Sequence, residues 1–228
     1  MLNTVANIFG GQNLPRLLQG FLVTLEVAAI VLVIGGILGI LFGVLRTLKM
    51  TWLNVVLRLY LEIFRIVPTV VLLFVAYYLL PQMLGINMSG FGVAVLVFTL
   101  WTGAEMSDIV RGALESVPRH QRESGLAIGL TTTQLYRYVL VPQSVPMMLP
   151  GVINLATRII KTTSLLLLIN VMDLVNVGQT IVEAEGHRHP SAGFWIYGAM
   201  FVLYYILCAP LSHWAKHMAR REMEIANG

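Results

Sequence analysis

The chain has 228 residues, 57% of them hydrophobic and only 11% charged, with a mean hydropathy of +0.79. A soluble domain carries about 25% charged residues, so this composition excludes a water-soluble fold, and the length leaves no room for a separate soluble enzyme beside a membrane domain. The net charge of +4 is scattered among apolar runs, which excludes a nucleic-acid surface, and Cys208, the only cysteine, excludes disulfides and cysteine-based metal sites.

The first twenty residues carry a single basic residue, Arg16, and no cleavage pattern, so the first apolar segment reads as a retained span. A spanning helix takes roughly 20 apolar residues. Residues 20–45 meet this with one interruption, Glu26, near the outer end, where pairing or snorkelling is the default expectation. Gly35, Gly36, Gly39 and Gly43 include i,i+4 pairs, a spacing that predicts a close helix-packing face. A second span falls within 52–80. Its first half carries Arg58, Glu62 and Arg65 on one helical face, and Pro68 predicts a kink in one long helix that enters amphipathically and then crosses.

Residues 81–90 form an uncharged turn, and a third span at about 91–112 carries Glu105 and Asp108. A polar passage covers about 113–142. The fourth span, about 143–170, is interrupted by Pro146, Pro150, Arg158, Lys161 and a Thr-Thr-Ser run; a loop, "DLVNVGQTIVEAEGHRHPSAG", leads to a fifth at about 194–215 and a polar tail. The fold class is therefore an all-α integral membrane protein of about five transmembrane helices in a single domain, residues 1–228. Five spans put the termini on opposite sides. Arg46, Lys49, Arg111, Arg119, Arg122, Arg137, Lys216, Arg220 and Arg221 fall on one side, against Arg16 and Arg188 on the other. The positive-inside rule then places the N-terminus outside and the central passage and C-terminus in the cytoplasm.

The polar passage reads as two helices with a joint. Ser116 is a candidate cap with Pro118 in the first turn, Gly129 suits a left-handed closing residue, and Thr131 with Gln134 forms a capping box. Pro142 is expected to end the second helix, which carries Leu135, Tyr138 and Val139 on one side, a surface suited to a groove on another protein. A plain interfacial linker is the competing reading.

Glu123-Ser-Gly-x-x-x-Gly129, followed nine residues later by Val139-Leu-Val-Pro142, resembles the EAA loop of bacterial ABC importer permeases, with Ser124 and Gly125 in place of two alanines. "YLEIFRIVP" (60–68), "GAEMSDIVRGALESV" (103–117) and "LPGVINLATRIIKTTSL" (149–165) are similar to segments of the polar amino-acid permeases of that class. The chain departs from them at Ile66-Val67, at Thr162, where the pattern has Asp, and at Arg158, which has no counterpart there. The resemblance implies a type I ABC importer transmembrane fold in the bacterial inner membrane. It implies a second permease subunit, identical or homologous, an extracytoplasmic amino-acid-binding protein, and a cytoplasmic ATPase that docks on Glu123, Ser124, Gly125, Gly129, Leu135, Tyr138, Val139 and Pro142. The chain has no Gly-x-x-x-x-Gly-Lys-Ser/Thr loop, so ATP and Mg belong on the ATPase and no catalytic or cofactor residue is expected here.

Charges at membrane depth mark function by default. Arg158 and Lys161, one turn apart, precede Thr162, Thr163 and Ser164, where prolines and hydroxyls are expected to loosen the helix for a zwitterion. Arg158, Lys161 and Arg65 either meet the substrate carboxylate or pair with Glu105, Asp108 or Glu62; both readings stand. His187 and His189 lack a third metal ligand, and a solvated loop around Glu183, Glu185 and Arg188, facing the binding protein, is the simpler reading. The alternative function is a self-contained secondary transporter or channel, which requires an inverted repeat or an acid relay that the sequence does not display. A membrane-embedded enzyme ranks lowest.

Overall fold

Hydrocarbon offers backbone amides no partner, so apolar runs of this length fold as helices. The structure, a computed structural model, describes residues 7–48 and 50–227, and among these no strand occurs. The helices are α1 (Asn13–Thr47), α2 (Thr51–Ile66), α3 (Thr69–Leu84), α4 (Gly90–Ser116), α5 (Arg119–Ala127), α6 (Thr132–Ile169), α7 (Leu174–Glu185) and α8 (Ala192–Asn227). Among the described residues α1, α4, α6 and α8 are long and apolar enough to cross a membrane, and α2 with α3 makes a fifth span if counted as one broken helix.

Three boundaries differ from expectation. The second span is broken, not kinked: Val67 is extended (φ −71°, ψ 129°) and the next helix starts after Pro68. Residues preceding proline are pushed out of the α region, and that preference wins here. The loop after the fourth span contains α7. Asp173 caps it by accepting the Asn176 amide at 3.0 Å, while Leu174, Val177 and Ile181 turn one buried face inward. Pro142, finally, does not end a helix. The chain runs on from Thr132 to Ile169 through a π-turn at Tyr136–Leu140, a wide turn that absorbs the donor proline lacks, and then a 3₁₀ turn at Thr163–Ile169.

The chain forms two compact units. One draws on the chain up to Val31, Thr69–Phe98 and Arg158–Pro210; the other on Leu32–Pro68, Thr99–Thr157 and the chain from Leu211. In the first, α7 is wedged among its neighbours. Ile8, Leu17, Leu174, Val177, Ile181, Ile196 and Met200 form its core. Thr24 of α1 accepts the Leu174 amide at 3.2 Å, and Gly20 lets α1 approach the Asp173 carbonyl closely. In the second unit, Leu57 and Leu61 of α2 pack on Ala104 of α4. Gly35, Gly39 and Gly43 of α1 press against Thr102, Met106 and Val110 of α4, so the glycine stripe is a packing face, as its spacing predicted.

Asp173 is fully buried, and its Oδ2 has no hydrogen-bond partner among the described residues. Burial pushes its carboxyl up to about 6, against which hydrogen bonds from the backbone act only partly. A raised carboxylate binds its proton more tightly folded than unfolded, so its stabilising contribution is complete below pH ~4 and is lost as pH rises through about 6. Wild-type protein in detergent is therefore expected to be more stable at pH 5 than at pH 7.5, by about 1.4 kcal/mol from this group. Asp173→Asn keeps the capping oxygen and should lose that difference. Thermal melts of both proteins across this range check the prediction; an unchanged pH slope in the variant excludes it.

Candidate functional site

The polar passage is built as α5, a tight joint and the first turn of α6. α5 begins after Pro118, which serves as its N-cap without a side-chain bond. Ser116 is not the cap. Its hydroxyl donates to the Ala113 carbonyl at 2.8 Å, because α4 continues to that residue. Gly129 takes φ +87°, the left-handed conformation that closes α5. The capping box forms as the sequence predicts: the Thr131 hydroxyl accepts the Gln134 amide, and the Thr131 amide donates to Gln134 Oε1 at 2.9 Å.

Packing sorts the remaining residues of the passage. Leu135 is buried rather than available at the surface, because its methyl group lies over Gly125, 2.7 Å from where a Cβ would stand. Gly125 thus admits Leu135 and joins the two helices. Glu123, Ser124, Tyr138 and Pro142 are exposed, and Val139 is half-buried. Thr47 at the end of α1 shares a 2.6 Å hydroxyl hydrogen bond with Tyr136, which ties the passage to a membrane span of the same unit.

Deeper in the same unit, charges from three helices meet. Asp108 of α4 accepts from Arg46 of α1 at 2.6 Å and from Arg65 of α2, and Arg65 also approaches Glu105 at 3.7 Å. These residues line a cleft of about 470 Å³ together with Arg58, Glu62 and Arg111. Arg65 is held by acids here, which is the pairing reading of that residue. Asp108→Asn leaves two guanidiniums short of their shared carboxylate. With Asp108 27% and Arg46 14% exposed, a loss of about 2 kcal/mol is expected, less than for a fully buried pair. Chemical denaturation in detergent micelles measures it, and a change below a few tenths of a kcal/mol counts against the clamp.

In α6, Lys161 and Arg158 are exposed on the same helix. The hydroxyls beyond them do not loosen it. Thr162 donates to the Arg158 carbonyl at 2.9 Å, buried Thr163 to that of Ile160 at 2.8 Å, and Ser164 to that of Lys161 at 2.8 Å. Each hydroxyl bonds back onto the helix, and the backbone tightens to 3₁₀ instead of unwinding, ending at left-handed Asn170 (φ 56°).

The family described as "Binding-protein-dependent transport system inner membrane component" matches residues 35–223. The chain belongs to this family. Among related permeases, it is 32% identical over 209 residues to the glutamine transport system permease protein GlnP of Escherichia coli, covering 91% of this chain and 93% of that protein. It is 29% identical to the L-cystine transport system permease protein TcyL of Bacillus subtilis, covering 94% and 90%. It is 31% identical to the glutamate/aspartate import permease protein GltJ of Escherichia coli, covering 76% and 75%. A solved amino acid ABC transporter with histidines has the same fold, with TM-score 0.81 at 24% identity over 91% of this chain and 94% of that one. The inward-facing MetNI methionine ABC transporter aligns with TM-score 0.74 at 18% identity, covering 92% and 99%.

In this permease, sequence reasoning missed Arg46 and Asp173 as more than topology and loop residues. Arg46 is 62 positions from Asp108, and no local pattern reports a contact of that span. Asp173 did leave a signal, an N-cap acid before a Leu174, Val177, Ile181 periodicity.

Proposed function

We propose that this permease forms the translocation path of an ATP-driven importer for polar amino acids and takes its motion from a separate ATPase. The observation that carries the reading is the polar helix pair between two membrane spans, jointed at Gly129 and leaving Glu123 exposed. A linker needs neither a capping box nor a buried Leu135–Gly125 contact; a rigid handle needs both. The named relatives, which import glutamine, cystine, glutamate and aspartate, support the substrate class. ATP and Mg are held by the ATPase, a second permease subunit completes the path, and a binding protein delivers substrate at the outer face. The chain sits in the bacterial inner membrane, N-terminus outside, with α5 in the cytoplasm, following the distribution of arginine and lysine.

The test is uptake of labelled glutamine, glutamate and cystine into vesicles that carry the permease with an ATPase and a binding protein of the same organism's amino-acid importers. ATP-dependent uptake is the expected result; uptake that persists without the ATPase makes the chain a secondary transporter. Within that assay Lys161→Met reads the substrate contact. A loss of about tenfold or more in uptake, with ATPase activity retained, is expected from removing one charge-assisted bond. Unchanged uptake eliminates Lys161 from the path.

A further inference from the structure

A second cleft, of about 370 Å³, adjoins the ion-pair cluster and has a different character: it is lined by Arg46, Asn54, Arg58 and Arg111 and by no acid. The acidic partners of these arginines occupy only part of each guanidinium. Arg46 gives Nη1 to Asp108, Arg58 gives Nε to Glu62 at 3.0 Å, and Arg111 gives Nη1 to Glu115 at 3.2 Å. Arg111 Nε is buried with no partner among the described residues, and so is the Asn54 carboxamide oxygen, whose Nδ2 is fixed on the Leu48 carbonyl at 3.0 Å. The cleft thus gathers three guanidiniums, each with N–H groups beyond those given to its acidic partner.

The first turn of α2 adds to this. Its N-cap, Met50, makes no side-chain bond and the turn carries no acid, so the positive end of a 16-residue helix is uncompensated beside the arginines. The same turn fixes the depth of the cleft. Trp52 is 66% exposed, and Val55, Val56 and Leu59 continue an exposed apolar face along α2. An exposed tryptophan above apolar residues is the pattern of a helix at the water boundary of a bilayer, and Arg46 marks the end of the longest apolar run.

We propose that Arg46, Asn54, Arg58 and Arg111 bind the phosphate of an anionic phospholipid headgroup at that boundary, with the acyl chains along the apolar face of α2. Guanidiniums take phosphate oxygens by charge-assisted bonds, and basic pockets between spans recruit anionic lipid. Bound lipid would hold the first turn of α2 beside the ends of α1 and α4 that carry Arg46 and Arg111.

The experiment uses the purified full chain, washed in zwitterionic detergent and then titrated with phosphatidylglycerol, phosphatidylcholine or inorganic phosphate. Native mass spectrometry reads retained lipid and thermal melts read stabilisation. Preferential retention of phosphatidylglycerol is expected, with about tenfold weaker retention in Arg58→Gln, a substitution at an exposed side chain that leaves packing intact. Arg111→Gln should give a similar loss. Equal retention of both lipids, or undiminished phosphatidylglycerol retention in both variants, overturns the proposal. Stabilisation by inorganic phosphate without preference for phosphatidylglycerol overturns the lipid as the source of the phosphate.

Discussion

Glu123→Arg is expected to abolish transport while leaving the permease folded in the membrane. Glu123 is exposed in the middle of α5, and reversing an exposed charge changes folding by only about 0.5 kcal/mol. The surroundings are already basic, with Arg119, Arg122 and Arg137 in the same passage. Adding a fourth cation removes the acidic feature of the handle. Like charges set against a partner surface cost several kcal/mol, equivalent to a loss of about a hundredfold or more in ATPase association. Pull-down of the ATPase on the tagged permease, with uptake in the same membranes, reads both quantities. Association that survives the reversal removes α5 as the docking element.

Gly39→Val should damage the fold itself. A Cβ at this position would stand 2.3 Å from Met106 Cβ and 2.9 Å from the Gly103 carbonyl oxygen, both close to or part of the backbone of α4. Carbon atoms pack at about 3.5–4.0 Å, so the helices must part by more than an ångström. Gly35 and Gly43, where an added Cβ would stand 2.7 and 2.6 Å from Thr102 and Val110, would separate with them. We expect a loss of about 3 kcal/mol, the upper end of ordinary overpacking, and a large fall in monodisperse protein from detergent. Gly36 supplies the control on the same helix. Its Cβ position meets only the flexible end of Met106, at 3.8 Å, so Gly36→Ala should melt like wild type. A Gly39→Val protein as stable as that control rules out the close packing.

Features with local physics were legible in the sequence. Hydropathy located the spans, the i,i+4 glycines announced the α1–α4 contact, and Gly129 with Thr131 and Gln134 defined the joint because each acts within four residues. The failures came where a local preference met a longer-range one. Ser116 and Pro142 carry valid start and stop signals, yet α4 runs as far as Ser116 and α6 continues through Pro142. Leu135 looked like docking surface until Gly125, ten positions away, proved to be its socket. Arg65 could be assigned to substrate or to acids equally well from sequence, because its distance from Asp108, 43 residues, is invisible to periodicity.

The wide turn at Tyr136–Leu140 sets a phase. One residue more than an α-turn is spent there, and each residue of an α-helix advances about 100° around the axis. The stretch of α6 from Val141 to Thr157 is therefore dialled by that amount relative to the capped turn at Thr132. Deleting one residue in this stretch would restore an ordinary turn and spin the buried Ile153, Leu155 and Thr157 about a quarter-turn or more from their present bearing. Two permeases that differ by one residue here would turn different faces of this helix toward their own core.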